Sequence, residues 1–275
     1  MIILKTVSEL RIWRDSLADN LGLVPTMGSL HAGHLALVER AAVECENVLV
    51  TIFVNPTQFN NPADFDSYPR DKEQDIKLLS ELGVNAIFIP DEAEIYPAGE
   101  CTTVSVSGLG SLWEGAHRPG HFEGVATVVA KLFNLTNADR AYFGEKDYQQ
   151  LQIVRRMVID LLLPVEIVAC PIVRAHDGLA LSSRNALLDD RSREMAKDLI
   201  HSLERVQHDI KAGRAADTAI AEQQTKLNDG GWEVDYLALV DDSTLCPISA
   251  MRPGARLIIA ASIGGVRLID NIWAE

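Results

Sequence analysis

The stretch that decides the fold reads Val24-Pro25-Thr26-Met27-Gly28-Ser29-Leu30-His31-Ala32-Gly33-His34-Leu35. Apolar residues 21–24 predict a short buried strand, and Pro25 and Gly28 are expected to end it. From Gly33 onward apolar side chains recur at helical spacing, so a helix follows the turn. The first N–H groups of a helix lack intrahelical partners and favour an anion. The stretch therefore predicts a strand, a tight turn and a helix start that suit a triphosphate.

Two histidines lie at this junction. His31 and His34 are three residues apart and share one face of the first helical turn. Ala32 and Gly33 are small enough to let a ligand approach the backbone. An isolated H-x-G-H string favours an ordinary strand–helix connection, because four-residue motifs recur by chance. The strand before it and the helix after it move the balance towards phosphate binding.

The composition narrows the class of protein. The chain has 275 residues, a 47% hydrophobic content and a formal net charge of −14. This charge argues against a nucleic-acid partner, which needs basic patches. The amino-terminal segment carries charge where a signal peptide needs an apolar core, and the longest apolar run, 257–266, is too short to span a bilayer. We therefore expect a soluble, cytoplasmic protein with no membrane association.

The first 170 residues alternate between predicted strands and helices. Further strands are expected at 2–4, 48–54, 84–89, 140–143 and 165–169, with helices at 71–82, 124–135 and 147–162. This order predicts an α/β fold with a Rossmann-like, open parallel sheet and helices on both faces. Ligands bind such sheets beyond the carboxyl ends of the strands, which the loops after residues 24, 54 and 143 leave. We also expect a strand at 102–106 and a proline-containing loop at 55–62 where no helix begins.

The character of the chain changes near residue 172. Charged helices are expected at 189–213 and 215–227, and strands of a separate small sheet at 232–240, 256–263 and 266–272. The sequence thus predicts a Rossmann-like domain over residues 1–172 and a smaller α+β carboxyl-terminal domain over residues 173–275.

Several other loops carry groups that suit an anionic substrate. An amide such as Gln58 can donate and accept, lysine is a point charge for phosphate, and arginine offers several donors. Taken alone, the Gln58 loop favours an ordinary proline-stiffened turn, the segment 142–150 is even between a ligand site and a capped helix, and a Ser-rich turn or cap competes at 178–185. The candidates are Gln58; Gly144, Lys146 and Asp147 with Gln150; Ser182, Ser183 and Arg184; and, with the weakest case, Arg118 and His121.

Taken together, these groups favour one kind of chemistry. The sequence has no metal-ligand cluster, no Ser–His–Asp order and no G-x-x-x-x-G-K-[ST] string. Many cations and donors without a nucleophile suit nucleotidyl transfer, in which a bound carboxylate attacks the α-phosphate of ATP and pyrophosphate leaves. Catalysis would then consist of positioning and charge stabilisation.

Six ordered segments carry a family resemblance. They are PTMGSLHAGHLALV (25–38), FVNPTQFN (53–60), DFDSYPRD (64–71), RPGHFEGVATVV (118–129), YFGEKDYQQ (142–150) and DGLALSSRN (177–185). In this order and spacing they resemble the pantoate–β-alanine ligases, or pantothenate synthetases. This family belongs to the class I aminoacyl-tRNA-synthetase-like nucleotidyltransferases. The resemblance covers residues 24–188, and the carboxyl-terminal domain fits in length and position.

The resemblance implies a reaction and a set of partners. Family members condense pantoate with β-alanine through a pantoyl adenylate, releasing AMP and pyrophosphate. They use ATP with Mg²⁺, usually form a homodimer, and close their carboxyl-terminal domain over the ATP site. Family members often have methionine where this chain has Leu181, a swap that conserves volume.

The resemblance also implies residue roles. His34, His31, Lys146 and Arg184 would be catalytic, with His34 as the acid or electrostatic partner of the phosphates. Gln58 and Gln150 would bind pantoate, Gln58 would also bind β-alanine, and Arg118 and His121 would be accessory residues near the nucleotide site. ATP would be bound by Met27, Gly28, Ser29, Leu30, His31, Ala32, Gly33, His34, Gly144, Glu145, Lys146, Asp147, Val173, Leu181, Ser182, Ser183 and Arg184.

Two other functions share part of this pattern. A nucleotidylyltransferase acting on a small phosphate ester would have the same fold and the H-x-G-H string, but would not need two amide-bearing loops. A non-catalytic nucleotide sensor would not need both Lys146 and Arg184 aimed at phosphates. For a tRNA-binding synthetase fragment, the acidic charge opposes RNA.

Overall fold

A six-stranded parallel sheet forms the centre of the amino-terminal part of the chain. The computed structural model describes residues 1–275, apart from the side chains at positions 62, 63 and 67. The strand order is β1-β4-β3-β2-β5-β6, and every paired strand runs parallel to its neighbour. The strands are β1 (Ile2–Leu4), β2 (Leu21–Thr26), β3 (Asn47–Ile52), β4 (Ala86–Phe88), β5 (Arg140–Gly144) and β6 (Glu166–Cys170). The predicted fold class is confirmed.

Strand β2 is longer than the sequence suggests. It runs through Pro25 to Thr26 and pairs with β3 along its whole length, so the expectation that Pro25 ends the strand was wrong. Only Gly22 and Leu23 pair with β5 on the other side. Pro25 therefore lies where β2 has a single neighbour, the edge-like position in which proline is tolerated.

The strands of this sheet are buried on both faces, because helices cover both faces. Val24, Val50 and Ile87 pack in one core with Val38 of α2 and Leu79 of α4. Their strand neighbours, among them Leu23, Leu49 and Phe88, are fully buried and face the opposite side. The helices are α1 (Val7–Asp15), α2 (Ala32–Glu44), α3 (Pro62–Ser67), α4 (Lys72–Ser80), α5 (Glu92–Ile95), α6 (Trp113–His117), α7 (His121–Thr136), α8 (Tyr148–Asp160), α9 (Asp190–Met195), α10 (Asp198–Lys211) and α11 (Ala216–Asp229).

Three local expectations are corrected. The segment 102–106 is not a strand, because the Val104 N–H donates to Thr127 Oγ1 of α7 at 2.9 Å instead of to a strand. The stretch 55–62 does contain helix starts: a 3₁₀ turn spans Pro56–Gln58, and α3 begins at Pro62. Proline suits a first helical position, where its missing N–H costs nothing. The predicted helix 189–213 is interrupted between α9 and α10.

The chain divides into two compact units. One comprises Met1–Glu145 with Gln149–Pro171, and the other Lys146–Tyr148 with Ile172–Glu275. Residues 146–148, which the sequence places in the first domain, thus cluster with the second unit. Closure of the carboxyl-terminal domain over a nucleotide stays a prediction.

The second unit is built on a three-stranded antiparallel sheet. Its strands are β7 (Glu233–Asp241), β8 (Ala255–Ile263) and β9 (Val266–Trp273), in the order β7-β8-β9. Gly264 and Gly265 join β8 to β9 with φ of 57° and 75°, as a tight two-residue hairpin requires. Helix α10 buries Leu199 and Leu203 in a common core with Leu257 and Ile259 of β8. Among the described residues, none of the helices combines the length and apolar composition that a membrane crossing demands.

The packing of α7 generates a stability prediction. A methyl group at Gly124 would lie 2.5 Å from the Thr57 carbonyl oxygen and 2.7 Å from the Gln58 nitrogen. Alanine usually stabilises a helix interior by about 1 kcal/mol relative to glycine, but this backbone clash outweighs that gain. We expect Gly124→Ala to lower the free energy of unfolding by about 1–3 kcal/mol, the range for overpacking, measured by urea denaturation.

Gly110→Ala is the matched control, because its methyl group would lie 3.9 Å from the nearest atom, Phe122 Cβ. This variant should unfold at the same urea concentration as the wild type. Equal stability of the two variants would contradict the close approach of α7 to the Pro56–Gln58 turn.

Candidate functional site

Residues 27–30 form a turn that leads into His31–His34, and this turn together with the two histidines is called the H-x-G-H turn. It lies at the point where the strand order of the parallel sheet reverses. Strand β2 pairs with β3 on one side and β5 on the other. Beyond these neighbours, β4 lies next to β3 and β6 lies next to β5. Residues 27–30 leave the carboxyl end of β2, and Gly144 is the carboxyl end of the adjacent strand β5. Open α/β sheets bind ligands at such a reversal. The fold therefore brings Gly144 and the H-x-G-H turn to one edge of the first unit.

Side chains from two elements, β2 and α4, hold the turn in shape. Thr26 Oγ1 donates to the Thr51 carbonyl at 2.7 Å and accepts the Gly28 N–H at 3.2 Å. Asp75 of α4 accepts the Ser29 N–H at 2.9 Å and the Leu30 N–H at 2.7 Å. The turn is thus fixed by hydrogen bonds before the helix begins.

The two histidines cap the start of α2. His31 is the N-cap residue, and its Nδ1 accepts the Gly33 N–H at 3.1 Å. The Nδ1 of His34 accepts the His31 N–H at 3.4 Å, and the ring centroids lie 4.1 Å apart. Because both Nδ1 atoms are acceptors, each neutral ring carries its proton on Nε2.

This capping corrects the expectation of open backbone donors at the helix start. The N–H groups of Ser29, Leu30, His31 and Gly33 bond to Asp75 and to the two imidazoles. A phosphate at this place would therefore meet imidazole Nε2–H groups in place of most of the backbone amides.

Gln58 is buried and held through both ends of its amide. Its Oε1 accepts from Asn55 Nδ2 at 3.1 Å, and its Nε2 donates to Met27 Sδ at 2.9 Å. The fold thus brings two predicted site residues, Gln58 and Met27, into contact. A thioether sulfur is a weak acceptor, so the Gln58 nitrogen retains donor capacity for a stronger one.

His121 and Arg118 contact Gln58 through its backbone. The Gln58 carbonyl accepts from His121 Nδ1 at 2.8 Å, so this nitrogen carries the proton. Arg118 Nη1 then donates to His121 Nε2 at 3.2 Å. The two accessory residues therefore fix the position of Gln58.

In the second unit, Lys146 is tied to the small sheet. The Lys146 carbonyl accepts from Asn271 Nδ2 at 3.1 Å, and the ring of the nearby Tyr148 stacks under the Arg256 guanidinium at 3.6 Å. The Lys146 side chain is 18% exposed, with Nζ 3.7 Å from Asp147 Oδ1. Asp147 ends a 3₁₀ turn, Glu145–Asp147, and helix α8 begins one residue after the predicted start.

The other predicted residues of the second unit lie on one folded-back loop. The Leu181 N–H donates to the Val173 carbonyl at 3.0 Å, and Arg174 and Ala180 form an isolated bridge. Ser182 then caps the 3₁₀ turn Ser183–Leu187 by accepting the Arg184 N–H at 3.3 Å. Val173 is thereby joined to the run 181–184.

The two neighbouring glutamines of α8 differ in environment. Gln149 is buried and bonds to the backbone of Glu114, Leu109 and Leu112. Gln150, the predicted substrate residue, is half-buried. Gln149 is therefore a structural side chain, whereas Gln150 keeps part of its surface exposed.

Sequence reasoning missed two residues, Asp75 and Asn55. Burial, with a smaller contribution from Asp71, raises the pKa of the Asp75 carboxyl, and the Leu30 and Ser29 N–H groups oppose that rise. The sequence does hold one indication of Asp75: this charged residue lies four positions before the buried Leu79, and so on the inward face of α4. Asn55 lies in the quoted FVNPTQFN segment, but no local pattern separates it from a turn residue.

Comparisons with known proteins agree over the whole chain. A family model described as Pantoate-beta-alanine ligase matches residues 2–273. A pantothenate synthetase from Cereibacter sphaeroides is 52% identical, with 98% of each chain covered. A pantothenate synthetase structure from Thermus thermophilus superposes with a TM-score of 0.95 at 50% identity, covering 100% of this chain and 99% of the other. A pantoate-beta-alanine ligase from Francisella tularensis, complexed with beta-gamma ATP and beta-alanine, has a TM-score of 0.86 at 37% identity, covering 100% and 98%.

The contacts of Asn55 generate a second stability prediction. Asn55 is 1% exposed, and its Nδ2 donates to both Gln58 Oε1 and the Gly124 carbonyl at 3.1 Å. Asn55→Asp keeps the volume but turns this donor into an acceptor that faces two acceptors. We expect the free energy of unfolding at neutral pH to fall by about 2 kcal/mol or more, the scale for buried polar groups left unsatisfied.

Asn20→Asp is the control, measured by the same denaturation. The side chain of Asn20 accepts the Glu46 N–H at 2.8 Å and is exposed, so aspartate keeps its bond. We expect a change within about 0.5 kcal/mol there. If Asn55→Asp were equally mild, the proposed bonding of the Gln58 amide would be wrong.

Proposed function

Because this chain belongs to the pantoate–β-alanine ligase family, we propose that it activates pantoate as an acyl adenylate before β-alanine attacks. The chain is a ligase that condenses pantoate with β-alanine at the expense of ATP. A carboxylate is a poor acylating agent because its oxygen is a poor leaving group. In the proposed first step, a pantoate carboxylate oxygen attacks the α-phosphorus of ATP and pyrophosphate leaves. In the second, the β-alanine amine attacks the acyl carbon, and AMP leaves with that oxygen.

The observation that carries this proposal is the bonding of the two imidazoles at the start of α2. With Nδ1 accepting a backbone N–H and Nε2 protonated, neither ring has a nitrogen lone pair left for a general base. Both can donate from Nε2 to phosphate oxygens as charge develops on them. We assign His34 as the acid or electrostatic partner of the phosphates, with His31 beside it.

Pantoate recognition is proposed for the two glutamines of the first unit. Gln58 is held at Oε1 by Asn55, and within the described part of the chain its Nε2 donates to the weakly accepting Met27 sulfur. A carboxylate or hydroxyl oxygen is a stronger acceptor. Gln150 would bind the other end of pantoate, and Gln58 would also contact β-alanine.

The remaining nucleotide-binding residues implied by the family resemblance stay proposals. Ser29 and Leu30 would contact ATP through atoms other than their N–H groups, which bond Asp75. Lys146 and Arg184 would supply cations for the phosphates, as a point charge and a planar fork respectively. The fixed Lys146 carbonyl and the Ser182 cap at Arg184 support these roles, because both segments are held before ATP arrives.

We propose that Mg²⁺ accompanies ATP. In the described part of the chain, no group of three or more His, Cys, Asp or Glu side chains could hold a metal ion. The residues present therefore fit an ion bound mainly by ATP phosphates and water, which is the usual mode for Mg²⁺. When bound, the ion would neutralise charge on the departing pyrophosphate.

Two further properties rest on the family resemblance. We propose a cytoplasmic location and a homodimeric assembly. The two other functions compatible with the sequence, a nucleotidylyltransferase and a nucleotide sensor, are disfavoured because the ligase family model matches nearly the whole chain.

The order of the two steps is tested by isotope exchange. With ATP, Mg²⁺ and pantoate present and β-alanine absent, labelled pyrophosphate should be incorporated into ATP, because adenylation is reversible and complete without the amine. Exchange should cease when pantoate is omitted. A concerted reaction would show no exchange until β-alanine is added, and that result would overturn the adenylate while leaving the ligase assignment intact.

The role of His34 is tested by two substitutions. We expect His34→Ala to lower kcat for AMP release about 10²-fold or more, the scale for losing one preorganised donor. His34→Asn keeps an acceptor near the Nδ1 position, and so the helix cap, but lacks the Nε2–H. It should lose as much activity as His34→Ala while unfolding at the wild-type temperature.

His201→Ala serves as the control for removal of a histidine, because His201 is exposed on α10 in the second unit. Its kcat should equal that of the wild type. Near-normal turnover in His34→Asn would remove the Nε2–H from the mechanism.

A further inference from the structure

Asp75 is a buried carboxylate at the base of the H-x-G-H turn. It belongs to the first turns of α4 and is 2% exposed. Its Oδ2 accepts the Ser29 N–H at 2.9 Å, and its Oδ1 accepts the Leu30 N–H at 2.7 Å. Both oxygens are therefore committed to two successive backbone amides.

The backbone of the turn has an unusual shape at this place. Gly28 and Ser29 both have positive φ, at 80° and 51°. Successive N–H groups of a turn can face one concavity that binds an anion, and here the Ser29 and Leu30 N–H groups both donate to the Asp75 carboxylate. Serine rarely adopts positive φ, so an outside contact must favour it. The Asp75 carboxylate provides one such contact, at the Ser29 N–H.

The turn is also pressed against Asp75 sterically. A methyl group at Gly28 would lie 2.9 Å from Asp75 Oδ2 and 3.0 Å from Ile52 Cγ2. The position therefore requires glycine on two grounds, its φ and this contact. Leu30 leads directly into His31, the N-cap of α2, so a shift of the turn would move both imidazoles.

We propose that Asp75 is a positioning residue for the ligation reaction: its carboxylate fills the backbone concavity of residues 28–30 and thereby fixes His31 and His34 relative to the phosphates of ATP. Asp75 contacts no reacting atom in this account and acts through the turn. The inference rests on the proposed role of the two histidines.

A cavity beside Asp75 provides a sharp test. Its volume is about 180 Å³, and its lining includes Gly28, Asp71 and Asp75. In Asp75→Ala the carboxylate is gone, the concavity keeps its two N–H donors, and the cavity leaves room for a small anion. Formate can then take the place of the missing carboxylate.

The experiment measures AMP release with ATP, pantoate and β-alanine at constant ionic strength, with formate replacing chloride. We expect Asp75→Ala to lose about 10- to 100-fold in kcat, the scale of a small misplacement of catalytic groups. Formate should restore kcat several-fold and saturably. Asp75→Asn fills the space but presents an NH₂ group to one of the backbone donors, so it should lose similar activity and gain nothing from formate.

Asp71→Asn is the matched control. Asp71 lines the same cavity and caps α4 by accepting the Gln74 N–H at 3.0 Å, a bond that asparagine keeps. This variant removes a nearby negative charge without touching the turn, so it should keep wild-type kcat and not respond to formate.

Several outcomes overturn the proposal. These are wild-type kcat in a folded Asp75→Asn, no formate effect in a folded Asp75→Ala, or equal stimulation of the wild type by formate. Failure of both variants to fold would assign Asp75 to the stability of the first unit and reject a role confined to the turn. A wild-type enzyme that ligates without pyrophosphate exchange would refute the proposed adenylate step. AMP release would still measure the effect of Asp75 in that case.

Discussion

The pairing of β2 with both β3 and β5 is the constraint on which the site depends. Because β2 lies where the strand order reverses, the loops after β2 and β5 leave the same edge of the sheet. A parallel sheet also needs both faces covered, which requires the helices that follow these strands. Helix α2 therefore starts at the reversal point, and its first residues belong both to the connection and to the candidate site.

Local pattern was sufficient to predict the sheet, because strands buried on both faces read as uncharged β-rich runs. The three carboxyl-terminal strands followed from equally local signals. Segments whose backbone bonds to distant partners could not be predicted this way. Residues 102–106 alternate like a strand, yet Val104 bonds to Thr127 of α7. Pro62 begins a helix in a stretch where two prolines suggested a loop.

The same distinction applies to the candidate site. Histidine, lysine and glutamine positions could be proposed from motifs, because their chemistry is visible in the residue type. Asp75 and Asn55 could not, because their partners are remote: Asp75 bonds to an amide 46 residues away, and Asn55 to a carbonyl 69 residues away. Such groups act on the geometry of others, and geometry is set by the fold. Their burial is the observation that reveals them.

In the proposed function, the histidines of the H-x-G-H turn cap a helix and also donate hydrogen bonds to phosphate. Serine and asparagine are the preferred residues at a helix N-cap. Imidazole has a second nitrogen on the far side of the ring. When Nδ1 accepts a backbone N–H, the proton of the neutral ring must be on Nε2, so the cap that starts α2 also sets the tautomer. Folding thereby sets the tautomer on which the proposed phosphate binding depends.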